Sequence, residues 1–211
     1  VVLDSEPSSD VVLSVASGDT GEATVSASTL TFTNGNWNAT QTVTVTGVDD
    51  SVDDGNQNTT VTIAVDDDNS DDTFDGLADQ TVTATTTDDD TVGYTLSGTT
   101  ATVTEAGSTD TFTVVLDTQP TSDVVFTVAS DDTGEATVSP ATLTFTTGNW
   151  NATQTVTVTG VDDSIDDGDQ DTTVTISVDD DNSDNAFDGL ADQTVTATTT
   201  DDDTVGYTLS G

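Results

Sequence analysis

The sequence predicts an all-β protein made of tandem two-sheet Greek-key sandwiches with seven strands in a complete unit. Short stretches alternate apolar and polar residues between Gly, Asp, Asn and Pro, as in QTVTVTG at 154–160, which is typical of half-buried strands. No stretch has the period of an amphipathic helix. The pattern recurs after 113 residues with 83 of 98 paired positions identical, and a repeat of this length is close to the size of one β-sandwich.

The repeat divides the chain into three parts. Residues 91–203 are predicted to form a complete unit. Residues 1–90 are predicted to form a unit that lacks its first strand, because TTATVTEAGSTDTFT at 99–113 has no counterpart ahead of Val1. Residues 204–211 repeat 91–98 and are expected to begin a third unit. The chain is interpreted as a window from a longer array.

The strands of the complete unit carry Val on one face and Thr on the other, which keeps β-propensity high on the wet side. They are expected at 101–105, 111–117, 123–129, 141–146, 153–160, 172–178 and 193–200. If successive strands run antiparallel, the first, third, fifth and seventh strands end at the same pole of the domain.

Acidic residues follow each of those four strands. They are Glu105, then Asp131 and Asp132, then Asp162, Asp163, Asp166 and Asp167, and finally Asp201, Asp202 and Asp203. Segments that are far apart in sequence therefore bring carboxylates to one end of the sandwich. We interpret the DDD run as one wall of a carboxylate-lined site.

The charge balance of the chain indicates what this site binds. There are 41 Asp and Glu residues and no Lys, Arg or His, so no side chain neutralises the acids. Two carboxylates about 4 Å apart repel by roughly 1 kcal/mol in water and about 4 kcal/mol at an effective dielectric near 20. A hard divalent cation relieves this repulsion, and calcium, with about 6 to 8 oxygen ligands, suits the acid count better than magnesium.

Composition also excludes several partners and functions. Without Cys or His, zinc and copper sites are not expected. A net charge of -41 disfavours nucleic acid and anionic membrane surfaces, and no apolar run is long enough to cross a membrane. Without His, Lys or Cys, only carboxylates, hydroxyls or a metal are left for catalysis, and we do not expect an enzyme.

Alternatives remain for each acidic segment. The acid runs are also explained as solvated loop surface or as adaptation to high salt. The loop VDDDNSDNAFDGLADQ at 178–193 and its copy at 65–80 are expected at the opposite pole, as a further cation site or as a solvated loop. Trp37 and Trp150 are expected to pack at the core or rim, although an exposed Trp can also stack on a sugar ring.

The order of motifs resembles the Calx-beta domain, and more closely the Calx-beta-like tandem repeats of large RTX-type bacterial surface adhesins. The matching stretches are TVTEAGSTDTFTVVLDTQP, VASDDTGEATVSPATLTF, NWNATQTVTVTGVDDSIDDGD and FDGLADQTVTATTTDDD. The resemblance implies an immunoglobulin-like sandwich that binds several calcium ions. The ligands that it implies are Glu105, Asp132, Asp162, Asp163, Asp167, Asp201, Asp202 and Asp203 in the complete unit, with the carbonyl of Ile165 as a further candidate, and Asp19, Asp49, Asp50, Asp54, Asp88, Asp89 and Asp90 in the first unit.

These observations lead to a functional prediction. We expect a calcium-stiffened extender of a secreted or surface-anchored bacterial adhesin, whose partners are calcium ions and neighbouring repeats. The alternatives are an adhesive module that contacts carbohydrate or protein directly, and a calcium sensor of the exchanger type. We expect a monomer, with weak end-to-end association if residues 204–211 of another molecule add to the open edge of the first unit.

Overall fold

Alternating Val and Thr residues form most of the strands in this chain. The computed structural model describes residues 1–209. Its strands are β1 (Val11–Ser17), β2 (Ala23–Val25), β3 (Thr29–Phe32), β4 (Val45–Gly47), β5 (Gln57–Val65), β6 (Gln80–Thr86), β7 (Tyr94–Leu96), β8 (Thr100–Thr104), β9 (Thr109–Leu116), β10 (Val124–Ser130), β11 (Ala136–Ser139), β12 (Thr142–Phe145), β13 (Gln154–Gly160), β14 (Gln170–Val178) and β15 (Gln193–Thr200). The helices are two single 3-10 turns at Asp67–Asn69 and Asp180–Asn182, and no helix in the described part of the chain is long and apolar enough to cross a membrane.

The chain separates into two compact units. Unit 1 comprises Val1–Asp50 and Asp54–Asp89, and unit 2 comprises Ser51–Asp53 and the chain from Asp90 onward. The predicted start of a third unit at 204–211 ends in Ser210 and Gly211, which lie outside the described residues. Residues 204–209 are not assigned to a strand.

Unit 2 is a two-sheet immunoglobulin-like β-sandwich. One sheet has the order β12-β10-β14-β15-β8 and the other the order β11-β13-β9-β7. All neighbouring strands pair antiparallel except β15 and β8, which pair in parallel. The all-β class and the sandwich architecture agree with the sequence-based prediction.

Two of the predicted strands are preceded by a further short strand that belongs to the opposite sheet. The fourth strand begins earlier than expected, as β11 in one sheet, and continues after Pro140 as β12 in the other sheet. The first strand is likewise preceded by β7 in the opposite sheet. Pro140 cannot donate a ladder hydrogen bond, so the sheet that contains β11 cannot continue its pairing through this residue. Strand direction is kept through both changes, and the predicted alternation is therefore retained.

The core of unit 2 fills the space between its sheets. Its fully buried side chains include Phe112, Phe126, Phe145, Ile176 and Phe187. The ring of Phe126 lies 4.7 Å from that of Tyr94 and 5.9 Å from that of Phe145, the latter nearly edge to face. Trp150 packs at the rim of this core, as expected for a structural tryptophan.

Unit 1 has a smaller core. Its sheets are β3-β1-β5-β6 and the two-stranded β2-β4. The buried residues are Leu3, Val11, Leu13, Val15, Leu30, Phe32, Val61 and Phe74, with Trp37 packed against them.

Candidate metal centre

The loops that follow four strands of unit 2 meet at one end of the sandwich, which we call the acidic pole. Strands β8 and β15 are paired in parallel up to Thr104 and Thr200, so Glu105 and Asp201 follow at the same end. Strands β10 and β15 are both antiparallel to β14, which directs β10 to this end as well. Strand β13 arrives at Gly160, where an added Cβ would overlap the carbonyl oxygen of Thr104. Only glycine permits so close an approach, and it brings the loop after β13 to the end of β8.

The first group of carboxylates at the acidic pole is the Glu105 cluster, formed by Glu105, Asp201 and Asp203. One oxygen of each lies within 4.8 Å of the other two. Glu105 is only 1% exposed, and the backbone N–H of Asp202 is 3.5 Å from its Oε2, which is long for a hydrogen bond. Asp203 Oδ2 is buried and accepts no hydrogen bond. Asp201 is held in place because it accepts the backbone N–H of Gly168 at 2.7 Å and that of Asp203 at 2.8 Å.

The environment of this cluster disfavours its negative charges. Burial raises the pKa of Glu105, the weak hydrogen bond from Asp202 opposes the rise, and the charges of Asp201 and Asp163 add to it. The pKa of Asp203 is also raised, first by burial and then by the neighbouring charges of Asp202 and Asp201. A cation bound at this cluster would oppose both shifts, because a nearby opposite charge favours the ionised form of a carboxyl group.

A second group, the Glu135 cluster, consists of Glu135, Asp163 and Asp167, again with one oxygen of each within 4.8 Å. Burial and the charges of Asp167 and Asp163 raise the pKa of Glu135. Asp163 Oδ1 accepts the backbone N–H of Ile165 at 2.7 Å, and the Ile165 carbonyl accepts the N–H of Asp167 at 2.9 Å. This loop is therefore folded around its own carboxylates.

Sequence reasoning missed Glu135. It followed the acids that come after a strand, whereas Glu135 precedes β11, which starts at the acidic pole because β10 ends there. The signal was present in the sequence: Glu135 lies in the short link between the third and fourth predicted strands, so it is at the pole where the third strand ends.

Unit 1 repeats the second group as the Glu22 cluster, formed by Glu22, Asp50 and Asp54 within 4.8 Å. Burial raises the pKa of Glu22, as do the charges of Asp54, Asp50, Asp19 and Asp88. Glu22 was missed for the same reason as Glu135.

The structure brings seven of the predicted ligands into these three clusters. They are Asp50, Asp54, Glu105, Asp163, Asp167, Asp201 and Asp203. Within residues 1–209 the other predicted ligands join no such triple: Asp19, Asp49, Asp88, Asp89, Asp90, Asp132, Asp162 and Asp202.

Several of these remaining acids lie close to the clusters and shape them. Asp132 Oδ1 accepts the N–H of Gly134 at 2.8 Å, which orders the turn ahead of Glu135, and its charge contributes to the raised pKa of Glu135. The charge of Asp162 likewise contributes to the raised pKa of Asp203. Their charges therefore strengthen the demand for a counter-ion.

The loop at the opposite pole uses its most buried acid for a different purpose. Asp184 Oδ2 accepts the backbone N–H of Thr121 at 2.6 Å, the Thr121 hydroxyl at 2.7 Å and the N–H of Ser122 at 2.9 Å. Burial would raise the pKa of Asp184, but these hydrogen bonds outweigh it and the pKa is lowered. Asp71 makes the corresponding bonds in unit 1 and also has a lowered pKa. These two carboxylates are held as anions by the protein itself.

The donor set at the acidic pole fits a hard divalent cation. All ligands that the clusters offer are carboxylate oxygens, which suit calcium or magnesium rather than softer metals. The three carboxylate oxygens of each cluster lie within 4.8 Å of one another, which is close enough for all three to contact one calcium ion at about 2.4 Å each. The orphaned Asp203 Oδ2 is the atom that most needs such a partner, because a buried acceptor without one is unfavourable.

Comparisons with known proteins report structural likenesses only. No family model and no curated protein sequence matches this chain. Among solved structures, domains 4 and 5 of the S-layer protein SbsC align over 89% of this chain and 70% of that one, with 20% identity and a TM-score of 0.43. CBD12 from CALX1.2 aligns over 93% of this chain and 90% of that one, with 10% identity and a TM-score of 0.36. The fold assignment given above rests on the strand pairing of the chain itself.

Proposed function

We propose that each unit binds calcium at its acidic pole and that the chain is an extender segment of a secreted or surface-anchored protein, of the bacterial adhesin type. The observation that carries the calcium proposal is the Glu105 cluster. It places three carboxylates together, one of them almost completely buried, with a buried oxygen that has no hydrogen-bond partner. The sequence has no Lys, Arg or His side chain to neutralise them.

The electrostatics explain why the ion acts on stability. Without a cation, the raised pKa values of Glu105, Glu135 and Asp203 mean that ionising these groups opposes folding at neutral pH. A bound ion removes this penalty and links loops that belong to different strands. At a free ion concentration 100 times the dissociation constant, each site adds about 2.7 kcal/mol to the free energy of unfolding.

Two features of the sequence support the extender role. The unit is repeated, and the chain has many carboxylates for cations but no His, Lys or Cys for catalysis. Two copies of the same sandwich recur with 83 of 98 residues unchanged, which is typical of tandem arrays. Extracellular modules bind calcium in the range of about 0.1 to 1 mM, and sites of this affinity are filled outside a cell and empty in a cytosol. The calcium concentration would then determine whether such an array is rigid.

The decisive test is thermal unfolding followed by circular dichroism in excess EDTA, with calcium or magnesium then added back at constant ionic strength. We expect a large rise in Tm with calcium and a much smaller one with magnesium, which dehydrates reluctantly and requires near-octahedral geometry. An equal response to both ions, or to sodium chloride alone, would show that added cations relieve the repulsion between the acids without a site that selects calcium. This outcome would remove the basis for the calcium sites. For the extender role, small-angle scattering should give a longer and better-defined particle with calcium than with EDTA, and an unchanged profile would contradict it.

A further inference from the structure

The loop that precedes β13 carries a motif that the calcium site does not use. Residues 149–153 read NWNAT, and the same letters recur at 36–40. Within this loop, residues 151–153 (Asn-Ala-Thr) match the pattern at which a sugar is attached to an asparagine side chain. A third match at 58–60 has no copy in unit 2, where the first position is Asp171. A pattern this short also arises by chance, so its structural context decides whether it can be used.

The loop is held in place by residues other than the acceptor asparagine. Trp150 packs against the core of unit 2. Asn149 builds the turn, because its Oδ1 accepts the N–H of Thr146 at 2.6 Å and its carbonyl oxygen accepts the N–H of Ala152 at 2.9 Å. The shape of the loop is therefore fixed without the side chain of Asn151.

The conformation of the loop gives the Asn151 side chain no structural role. It is exposed and makes no hydrogen bond with any residue that the structure describes. Asparagine often occurs in turns because it tolerates a positive φ, but between residues 1 and 209 only glycines have a positive φ. Ala152 and Thr153 are exposed as well. All three residues of the motif are therefore accessible to a second molecule.

The motif that begins at Asn58 has the opposite arrangement. Asn58 lies in β5, and its Oδ1 accepts the hydroxyl of Thr85 at 2.7 Å. The next residue, Thr59, is only 4% exposed, and residues 57–63 are paired with β6 throughout. A loop opens locally at a lower cost in free energy than a paired strand does. An enzyme can therefore draw the motif of the loop into its active site more easily than the motif of the strand.

We propose that Asn151, together with Asn38 in the identical loop of unit 1, accepts an N-linked sugar from a donor in which the sugar is attached to a phosphate group. A bond forms between Nδ2 of the asparagine and C1 of the sugar, and the bond between C1 and the phosphate oxygen breaks. The phosphate group leaves with the bonding electrons, and Nδ2 gives up one proton to a base of the transferase. Residues 38–40 are all exposed, so both units offer the same acceptor.

The loop lies far from the acidic pole. Strand β13 begins at Gln154, directly after the motif, and ends at Gly160, where it approaches Thr104. The seven residues of this strand, at about 3.3 Å each, span roughly 20 Å. A sugar on Asn151 therefore leaves the carboxylate clusters of unit 2 uncovered. The proposal goes beyond calcium binding and does not depend on it.

Enzymatic glycosylation of the folded chain tests this proposal. The purified chain is incubated with UDP-glucose and with an N-glycosyltransferase that modifies the isolated peptide 147–156, under conditions in which circular dichroism shows the folded β spectrum. Mass spectrometry of the intact chain and of its peptides should find one hexose on Asn151, one on Asn38 and none on Asn58. The expected result does not depend on whether calcium is present, so a failure of the calcium proposal, measured by Tm, is seen separately.

Asn185 is the internal control, because it is an exposed asparagine of the same unit that is followed by Ala and then by Phe instead of Thr. It should remain unmodified. Thr153→Ala should abolish transfer to Asn151 and leave Asn38 modified, and Thr153→Ser should restore it. An unmodified Asn151 in the folded chain would overturn the proposal. Transfer to Asn185, or to Asn58 at the same rate as to Asn151, would overturn it as well.

Discussion

At the residue scale, the proposed calcium site depends most on Glu105. Its carboxylate is almost completely buried and has a single, long hydrogen bond. Leaving a charge in this environment is unfavourable, because burial removes hydration without replacing it. The same burial would exclude water from competing for a cation, so we expect Glu105 to be a strong ligand if an ion binds at this cluster.

Glu105→Gln is therefore expected to have opposite effects on stability in the two conditions. In EDTA the variant should be at least as stable as the wild type, because a buried charge is removed. With calcium it should be less stable, because the site loses a charged ligand, and we expect about tenfold weaker binding, or about 1.4 kcal/mol. The measurement is Tm by circular dichroism at a series of calcium concentrations.

Glu6→Gln is the control for this variant, since Glu6 is an exposed glutamate outside the three clusters. It changes the net charge by the same amount and should leave the calcium dependence unchanged. If Glu105→Gln behaved as Glu6→Gln does, Glu105 would not be a ligand.

The pH dependence of the metal-free chain follows from the shifted acids. Glu22, Glu105, Glu135, Asp75 and Asp203 have raised pKa values, so the folded state binds protons more tightly than the unfolded state does. In EDTA the free energy of unfolding is therefore expected to fall as the pH rises above the ordinary carboxyl values of 3.8 and 4.5 and through the raised ones.

The acids with lowered pKa, Asp71, Asp110 and Asp184, act in a separate window. Their contribution to the free energy of unfolding is complete above pH 3.8 and is lost only at lower pH. With calcium the decrease in the free energy of unfolding that the raised acids cause with rising pH should reverse, because the ion binds the deprotonated form. Urea unfolding between pH 5 and 7.5, with and without calcium, measures both slopes, and equal slopes would contradict the assignment.

At the scale of elements, the short strand β7 has a larger role than its three residues suggest. It joins the edge of one sheet through β9 and reaches the other sheet through the hydroxyl of Tyr94. The N–H of Gln193 at the start of β15 depends on that hydroxyl as an acceptor. β7 therefore fastens the two sheets of unit 2 at the end opposite the acidic pole.

Tyr94→Phe is expected to lower the free energy of unfolding of unit 2 by about 1 to 3 kcal/mol, the range for leaving buried polar groups unsatisfied. The loss should appear as a lower Tm in both EDTA and calcium, because the hydroxyl is remote from the clusters. Tyr207→Phe is the matched control. Its side chain is 90% exposed, and the Tm should not change.

At the scale of the whole molecule, the two units differ in how completely their apolar side chains are buried. Unit 2 has a continuous core around Phe126 and Phe145, whereas unit 1 leaves Leu77 and Val82 in solvent. Fully burying a Val or Leu side chain contributes about 1.5 to 3 kcal/mol, and Leu77 and Val82 gain only part of this because they are 58% and 52% exposed. The two units are therefore expected to unfold separately, with unit 1 melting at the lower temperature.

The two tryptophans can report this order, because Trp37 packs on the core of unit 1 and Trp150 on that of unit 2. In Trp150→Phe the remaining fluorescence follows unit 1, and in Trp37→Phe it follows unit 2. We expect the first variant to show the lower transition and the second the higher one. A single coincident transition in both variants would show that the units unfold together.

Several features of the molecule were predictable from sequence and others were not. The all-β class, the 113-residue repeat and the delivery of strand-end acids to one pole follow from local pattern and strand alternation. The break of the fourth strand at Ser139 and Pro140 did not, because the Val and Thr alternation runs through ATVSPATLTF without indicating which sheet each half joins. Glu22 and Glu135 were missed because they precede a strand, although the same alternation places them.

The sequence by itself determined that the binding partner is positively charged, since 41 acids without a basic side chain require an external cation. It also determined which strand ends share a pole, because short links between consecutive strands leave little choice of direction. Tertiary structure decided which carboxylates meet and which become buried. Glu105 is buried, whereas Asp49 and Asp89 are exposed. It is buried because β8 pairs in parallel with β15, and because Gly160 lets β13 approach Thr104. The physical reason is that charge is a property of composition, whereas desolvation depends on the distance between segments that are remote along the chain.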